Sequence, residues 1–472
     1  MISLTLAEIA KATDGQVINC PQQETMVHNI CTDTRKIQSG DLFIALQGAH
    51  YDAQQFLEKA SQQGAAALLI AQPIVVELPC IVVKDTRIAL GLLASYVRQQ
   101  ILALKCAAIT GSNGKTTTKE LLSEILRHHV GNEESVLATA GNFNNDIGVP
   151  LTLLRLTEKV RFAVVELGAN HSGEIAYSAQ LTKPDVALVN NVMPAHIEGF
   201  GSLQGVAQAK GEIWSSLGAT GIAVVNLDAN FASDYLRQLQ KLKRQCLTFS
   251  TTDIKADVVA SDIHFDGSGK ASFDMNVMLN GALSTMNIQL NLAGLHNVSN
   301  ALAAATMAIA LGCSLTDIQS GLGAVKQVGG RVTSSQVSPL VTLIDDTYNA
   351  NPASVRAAVD LLCQYSSSHL LILGDMAELG NSSEHEHALI GDYAAQKGIK
   401  RLITVGKLTT KTDHAFKQAG KGESVHFSDK DKVNAYLHDI LLAQNEPLTI
   451  LVKGSRGAKM EEIVDFIKQS VQ

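Results

Sequence analysis

The sequence predicts an α/β protein of three domains, with a central, mostly parallel sheet covered by helices on both faces. Three observations predict it. Short apolar runs alternate with helical patterns along the chain, which is how strands buried on both faces read. One such run passes through a glycine-rich turn into a helix, between residues 105 and 126. The length of 472 residues matches about three domains of ordinary size.

The first block spans residues 1–83. Thr5-Leu-Ala-Glu8 reads as a capping box that opens a short helix, because the Thr hydroxyl and the Glu carboxylate satisfy each other's backbone N–H groups. Strand-like runs at 42–46 and 66–70 flank a polar helix at 52–63, giving a small α/β domain. The second block, 84–312, has strands at 105–109, 162–166, 186–190 and 222–226, and a helix of small residues at 301–311. The third, 313–472, has strands at 341–344, 370–373, 402–405 and 449–452. Each of these ends in Asp, Gly or Lys. In open α/β sheets ligands sit beyond the carboxyl ends of strands, so Asp345, Asp346, Gly374, Asp375, Lys453 and Gly454 face a site or simply make turns.

Composition narrows the function classes. Aromatic residues are 4% and the net charge is −7, so neither the stacking rings nor the basic face of a nucleic-acid groove is present. Seven scattered cysteines without a Cys-x-x-Cys pair indicate a reducing compartment and no structural zinc. The most apolar long window, 64–83, contains Gln72, Pro73, Glu77 and Pro79, which excludes a membrane span. A cytoplasmic enzyme is expected.

The chemistry begins at Thr110-Gly-Ser-Asn-Gly-Lys-Thr-Thr117. Glycines let backbone N–H groups close around a phosphate chain, and the following helix N-terminus adds a favourable dipole. Lys115 is placed for the outer phosphates and Thr116 for Mg²⁺. The glycine usual five positions before the Gly-Lys pair is replaced by Ile109. Glu166 ends an apolar strand, where a carboxylate can hold a metal beside the loop. His196 is a lone histidine. Lys210, on its spacing alone, reads as a solvated surface lysine. In His296-Asn-Val-Ser-Asn300, Asn suits either an adenine edge or a helix N-cap. Glu384, His385 and His387 invite a metal reading that their spacing fits poorly on one helix face.

These segments, in this order, resemble the Mur ligase family. Thr110 to Thr116 match its phosphate loop, including the missing distant glycine. Glu166-Leu-Gly-Ala-Asn-His171, His196-Ile-Glu-Gly-Phe-Gly201, Ala209-Lys-Gly-Glu-Ile213, His296 to Asn300, Asp345-Asp-Thr-Tyr-Asn-Ala-Asn351, Gly374-Asp-Met-Ala-Glu-Leu-Gly380 and Asp33-Thr-Arg-Lys36 resemble its other motifs. The resemblance spans the chain. It implies an N-terminal domain for the UDP end of a substrate, a central ATP-binding domain and a C-terminal Rossmann-like domain that binds an incoming dipeptide.

By that resemblance, Gly111, Asn113, Gly114, Lys115, Thr116 and Thr117 cradle ATP, Asn300 meets adenine, Asp346 the ribose and Arg331 the phosphates. Thr116 and Glu166 serve one Mg²⁺. His196 serves a second, and Lys210 matches a lysine that is carbamoylated in the family, an anion able to help hold Mg²⁺, which reverses the surface reading of Lys210. Thr34 and Arg35 lie toward the UDP end, and Asn142, Asn145, Tyr348 and Asn349 toward the peptide. The implied activity is ATP-dependent amide ligation through an acyl phosphate, with D-Ala-D-Ala and UDP-N-acetylmuramoyl-tripeptide as partners. No nucleic acid, no membrane span and a single copy of the chain are expected. A sister amide ligase, such as a folylpolyglutamate synthase or the ligase of the third peptide residue, is the nearest alternative. The latter usually carries Asp-Asn-Pro-Arg, where this chain has Tyr348-Asn-Ala-Asn-Pro352. A nucleotide switch that reads guanine would carry Asn-Lys-x-Asp, which is absent.

Overall fold

Strand β1 (Gln16–Ile18) starts the first sheet, followed by β2 (Asn29–Cys31), β3 (Asp41–Ile44), β4 (Ala67–Ile70) and β5 (Cys80–Val82). Their order is β1-β5-β4-β3-β2, parallel except between β1 and β5. This is a computed structural model, and it describes residues 1–20, 25–48, 51–73, 77–194, 197–326 and 329–470. Helix α1 (Leu6–Thr13) carries the expected capping box between Thr5 and Glu8. The helix predicted over 52–63 is instead a 3-10 turn, Ala53–Phe56, followed by α2 (Leu57–Gln62). The Asp52 carboxylate accepts from the Gln54 N–H and tightens that first turn. A longer helix, α3 (Thr86–Gln100), leads into the central unit.

The central sheet holds β6 (Lys105–Thr110), β7 (Val136–Ala138), β8 (Phe162–Glu166), β9 (Val186–Val189), β10 (Ile222–Asn226), β11 (Gln245–Ser250), β12 (Val258–Phe265), β13 (Lys270–Leu279) and β14 (Ala282–Ala293). The order is β7-β8-β6-β9-β10-β11-β12-β13-β14. It is parallel as far as β12, and β13 and β14 extend it antiparallel. The chain runs from β6 to β7 and β8 on one side and then crosses to β9 on the other, so a crevice opens at the carboxyl end of β6, between β8 and β9. The phosphate loop fills it.

Helix α4 (Lys115–Val130) follows that loop and buries Leu121, Leu122, Ile125 and Leu126. Further along the chain come helices α5 (Leu203–Gly211), α6 (Leu295–Leu311) and α7 (Leu315–Ala324). Ala301, Leu302, Ala303, Ala304 and Ala305 of α6 are all fully buried, and small side chains let this helix be enclosed by its neighbours. The division expected at 312/313 falls inside this packing. Helix α7 lies on α4, with Ile318 and Leu322 in the same apolar cluster as Leu121 and Ile125. Gly321 meets the Ile125 backbone so closely that a Cβ has no room. Central packing therefore continues to Val325.

The third unit contains β15 (Thr333–Ser338), β16 (Val341–Asp346), β17 (Ser368–Gly374), β18 (Arg401–Val405), β19 (Glu423–Phe427) and β20 (Leu448–Lys453), in the order β15-β16-β20-β17-β18-β19. All neighbours are parallel except β15 and β16. Leu343 and Ile344, like Leu371 and Ile372, enter apolar clusters on opposite faces, so both faces are covered, as the apolar strands predict. Helices α8 (Pro352–Leu362) and α9 (Ser383–Gln396) pack on one of them.

Ala304→Leu should overpack α6 and lower unfolding free energy by about 1–3 kcal/mol, read as a lower denaturant midpoint.

Candidate active site

Register builds the centre of the site. Ile109 pairs with Glu166 across β6 and β8, so the carboxylate emerges beside the start of the phosphate loop. Glu166 is only 3% exposed. Thr116 Oγ1 donates to its Oε2 at 2.7 Å and Asn144 Nδ2 to its Oε1 at 2.8 Å, while its own N–H donates to Thr139 Oγ1 at 2.9 Å. Among the described residues no Lys, Arg or His pairs with it. A buried carboxylate next to a hydroxyl, both hard oxygen donors, fits Mg²⁺. Lys115 Nζ donates to the Gly111 carbonyl at 2.9 Å, folding back over the loop. Dehydration pushes the Lys115 ammonium below its ordinary pKa, partly countered by Glu166.

Lys210 overturns the surface reading. It lies on α5 but is 3% exposed and lines the same cleft as Lys115 and Glu166. Burial, with repulsion from Lys115 next, pushes its pKa well below the usual lysine value. His196 lies outside the described residues.

Under the loop runs a ladder of asparagines. Asn190 Nδ2 donates to the Asn113 carbonyl and to Asn300 Oδ1, each at 3.0 Å. Asn300 Nδ2 donates to Asn297 Oδ1 at 3.1 Å. The N-cap reading of these asparagines fails, because α6 starts at Leu295 with Gly294 as its cap and both lie inside the helix. Asn300 still lines the cleft. Gly114 has φ +76°, and a Cβ there would strike the amides of Asn300 and Asn190.

The cleft has a volume of about 1450 Å³, and its far wall comes from the third unit. Asp346 and Lys453 end adjacent strands in register, and Lys453 Nζ lies 2.6 Å from Asp346 Oδ2 with both residues buried. The same ammonium donates to the Asn349 carbonyl at 2.9 Å. The Arg331 guanidinium stacks 3.9 Å from the centre of the Tyr348 ring. Asn142 and Asn145 also line the cleft, and Asn145 Oδ1 accepts from the Gly148 N–H at 2.8 Å. Thr34 and Arg35 are not among the lining residues. They sit on a 3-10 turn of the first unit, where Arg35 pairs with Asp33 at 2.8 Å.

The Glu384–His385–His387 cluster is structural at His387. Its Nε2 accepts from the Met376 N–H at 3.0 Å and its Nδ1 donates to the Ser383 carbonyl at 2.6 Å, which fills both ring nitrogens. Among the described residues no group of three His, Cys, Asp or Glu side chains converges on a metal position.

Three family models match in sequence: the Mur ligase family catalytic domain at 26–98, the Mur ligase middle domain at 109–308 and the Mur ligase glutamate ligase domain at 330–456. A UDP-N-acetylmuramoyl-tripeptide–D-alanyl-D-alanine ligase from Escherichia coli K12 is 44% identical over all of this chain and 99% of its own. One from Haemophilus influenzae is 42% identical over the whole of both chains. The chain belongs to the Mur ligase family. A crystal structure of MurF from Acinetobacter baumannii superposes with a TM-score of 0.91 at 36% identity, covering 99% of each chain.

In this Mur ligase several site-building residues escaped sequence reasoning. Asn144, which lies between Asn142 and Asn145, donates to Glu166 and helps orient it. Asn190 and Asn191 hold the loop from below, and their only sequence signal was their place at the end of an apolar run. Lys453 was read as site-facing, but its pairing with Asp346 needs the β20 insertion between β16 and β17.

Gly114→Ala should abolish measurable ATP binding in calorimetry while leaving the far-ultraviolet circular dichroism unchanged, because the added methyl displaces the loop and not the sheet.

Proposed function

We propose that the protein joins D-Ala-D-Ala to UDP-N-acetylmuramoyl-tripeptide, using ATP and releasing ADP and phosphate, in the building of peptidoglycan precursors. The observation that carries this reading is one cleft. In it the phosphate loop and the buried Lys210 face Arg331, Asp346 and Tyr348, in a chain that aligns end to end with ligases of that name.

A free carboxylate resists an amine because its anionic oxygen leaves poorly. Phosphorylation solves this. The tripeptide carboxylate bonds to the γ-phosphorus as the bond to ADP breaks. The dipeptide amine then attacks the acyl carbon, phosphate departs with the C–O electrons, and the new amide loses a proton. Two anions must first meet, and at about 4 Å their repulsion is about 4 kcal/mol for an effective dielectric of about 20. The loop N–H groups and the α4 dipole hold the triphosphate. Lys115 leaves the Gly111 carbonyl for the outer phosphates, and Arg331 meets them from the third unit. Thr116 and Glu166 would hold one Mg²⁺ and His196 a second, with carbamoylated Lys210 helping to hold magnesium, and the bound ions would supply positive charge that offsets the charge of the phosphates. Asn300 and Asp346 take the nucleoside, Thr34 and Arg35 the UDP end, and Asn142, Asn145, Tyr348 and Asn349 the peptide. Closure of the third unit keeps water from the acyl phosphate.

The depressed pKa of Lys210 supports its carbamoylation. Its free amine bonds to the carbon of CO₂ and sheds a proton, turning a cation into an anion that suits a metal. We assign the reaction to the cytoplasm, where ATP is made and the seven cysteine thiols stay reduced. Among the described residues no helix is long and apolar enough to cross a membrane.

Phosphate release by the purified protein should require the UDP-linked tripeptide and D-Ala-D-Ala together; release with a single amino acid in place of the dipeptide points to a sister ligase. Lys115→Ala should lose this activity, and normal turnover by that variant would refute the site. Lys210→Ala should be nearly inactive and partly restored by millimolar acetate. Full activity without acetate removes the carbamate from the mechanism.

A further inference from the structure

The phosphate loop is tied to the third unit through one side chain. The Asn113 N–H donates to Asn191 Oδ1 at 2.9 Å, and its carbonyl accepts from Asn190 and Asn191, so the central unit holds its backbone. Its side chain donates from Nδ2 to Met193 Sδ at 3.3 Å within that unit and also reaches out of it. Asn351 Nδ2 donates to Asn113 Oδ1 at 2.6 Å, and Asn113 Nδ2 donates back to Asn351 Oδ1 at 3.3 Å. Asn351 is also the N-cap of α8, where its Oδ1 accepts from the Ser354 N–H at 2.9 Å. The segment leading to it is anchored by Lys453, which holds Asp346 and the Asn349 carbonyl. A second bridge, Tyr365 Oη to the Ser268 carbonyl at 2.8 Å, lies just past the other end of α8.

We propose that the Asn113–Asn351 pair is a latch that sets the third unit against the phosphate loop, making both asparagines positioning residues for ligation. Two neutral amide hydrogen bonds each contribute little net free energy, so the latch opens readily for substrates to enter. Transfer between groups carried on separate units falls steeply with small misplacements, so a weak contact at this point has a large effect on rate. The kinetic part of the proposal rests on the ligase reading; the structural part rests on the fold alone.

The test is a double-mutant cycle on the full chain. Asn351→Ser keeps a capping hydroxyl and is too short to reach Asn113. Asn113→Ala leaves α8 untouched. Asn351→Ser should lower kcat roughly 10- to 100-fold, while the calorimetric Kd for ADP changes less than about threefold. The double variant should be no slower than the slower single variant. Equal losses in kcat and ADP affinity, or multiplying losses in the double variant, overturn the latch. The same cycle read by urea unfolding needs no turnover: shifts that are not additive support the pair, and additive shifts reject it. Absence of ligation by the wild-type chain would sink the assigned reaction and leave this second readout intact.

Discussion

Two lysines buried in one dehydrated cleft set the terms for everything around them. Lys115 and Lys210 repel each other, and burial disfavours the charge on both. Burying two such groups opposes folding, and an anion brought beside them would offset that cost. The fold supplies the means to keep that arrangement. Glu166 rises beside the loop by strand register, Asn144 and Thr116 orient it, and parallel strands aim their carboxyl ends at one crevice. The loop is stiffened by the Asn190 and Asn191 amides just past β9, with Asn300 of α6 bracing Asn190, and their neutral dipoles add no charge to compete with a phosphate.

Much of this was legible in the sequence because the signals are local. A run such as 162–166, apolar throughout and closed by Glu, specifies strand, burial and orientation together, and β8 has those very bounds. The capping box at Thr5 and Glu8 needs four residues to be read. Lys115 and Thr116 follow from the strand–turn–helix order alone. Lys210 did not. Its neighbours on α5 are mostly small or polar, with the buried Val206 one turn before it, and the packing of distant elements over that face dehydrates it, so the family resemblance carried what spacing could not.

The antiparallel strands show a different limit. Ala271, Phe273, Met275 and Val277 alternate inward with polar neighbours between them along β13, a period-two pattern that is visible once sought. It was missed because polar residues occupy half of each such strand, in contrast to the solid apolar runs upstream. The end of the central unit was hidden for another reason. The Gly312 cap ends α6, which looks like a boundary, yet α7 folds back onto α4 where Gly321 admits the Ile125 backbone. Asn113 and Asn351 are 238 positions apart, and no pattern within either segment encodes that they meet.

The Asp346–Lys453 pair exists because two neighbouring parallel strands are matched residue for residue, from Val341 opposite Leu448 to Asp346 opposite Lys453. Side chains alternate faces along a strand, so inserting or deleting one residue within either would turn one partner away and expose its apolar neighbours to water. Evolution is thus free to change the lengths of the surface connections, while these two strands can drift in composition but not in residue count.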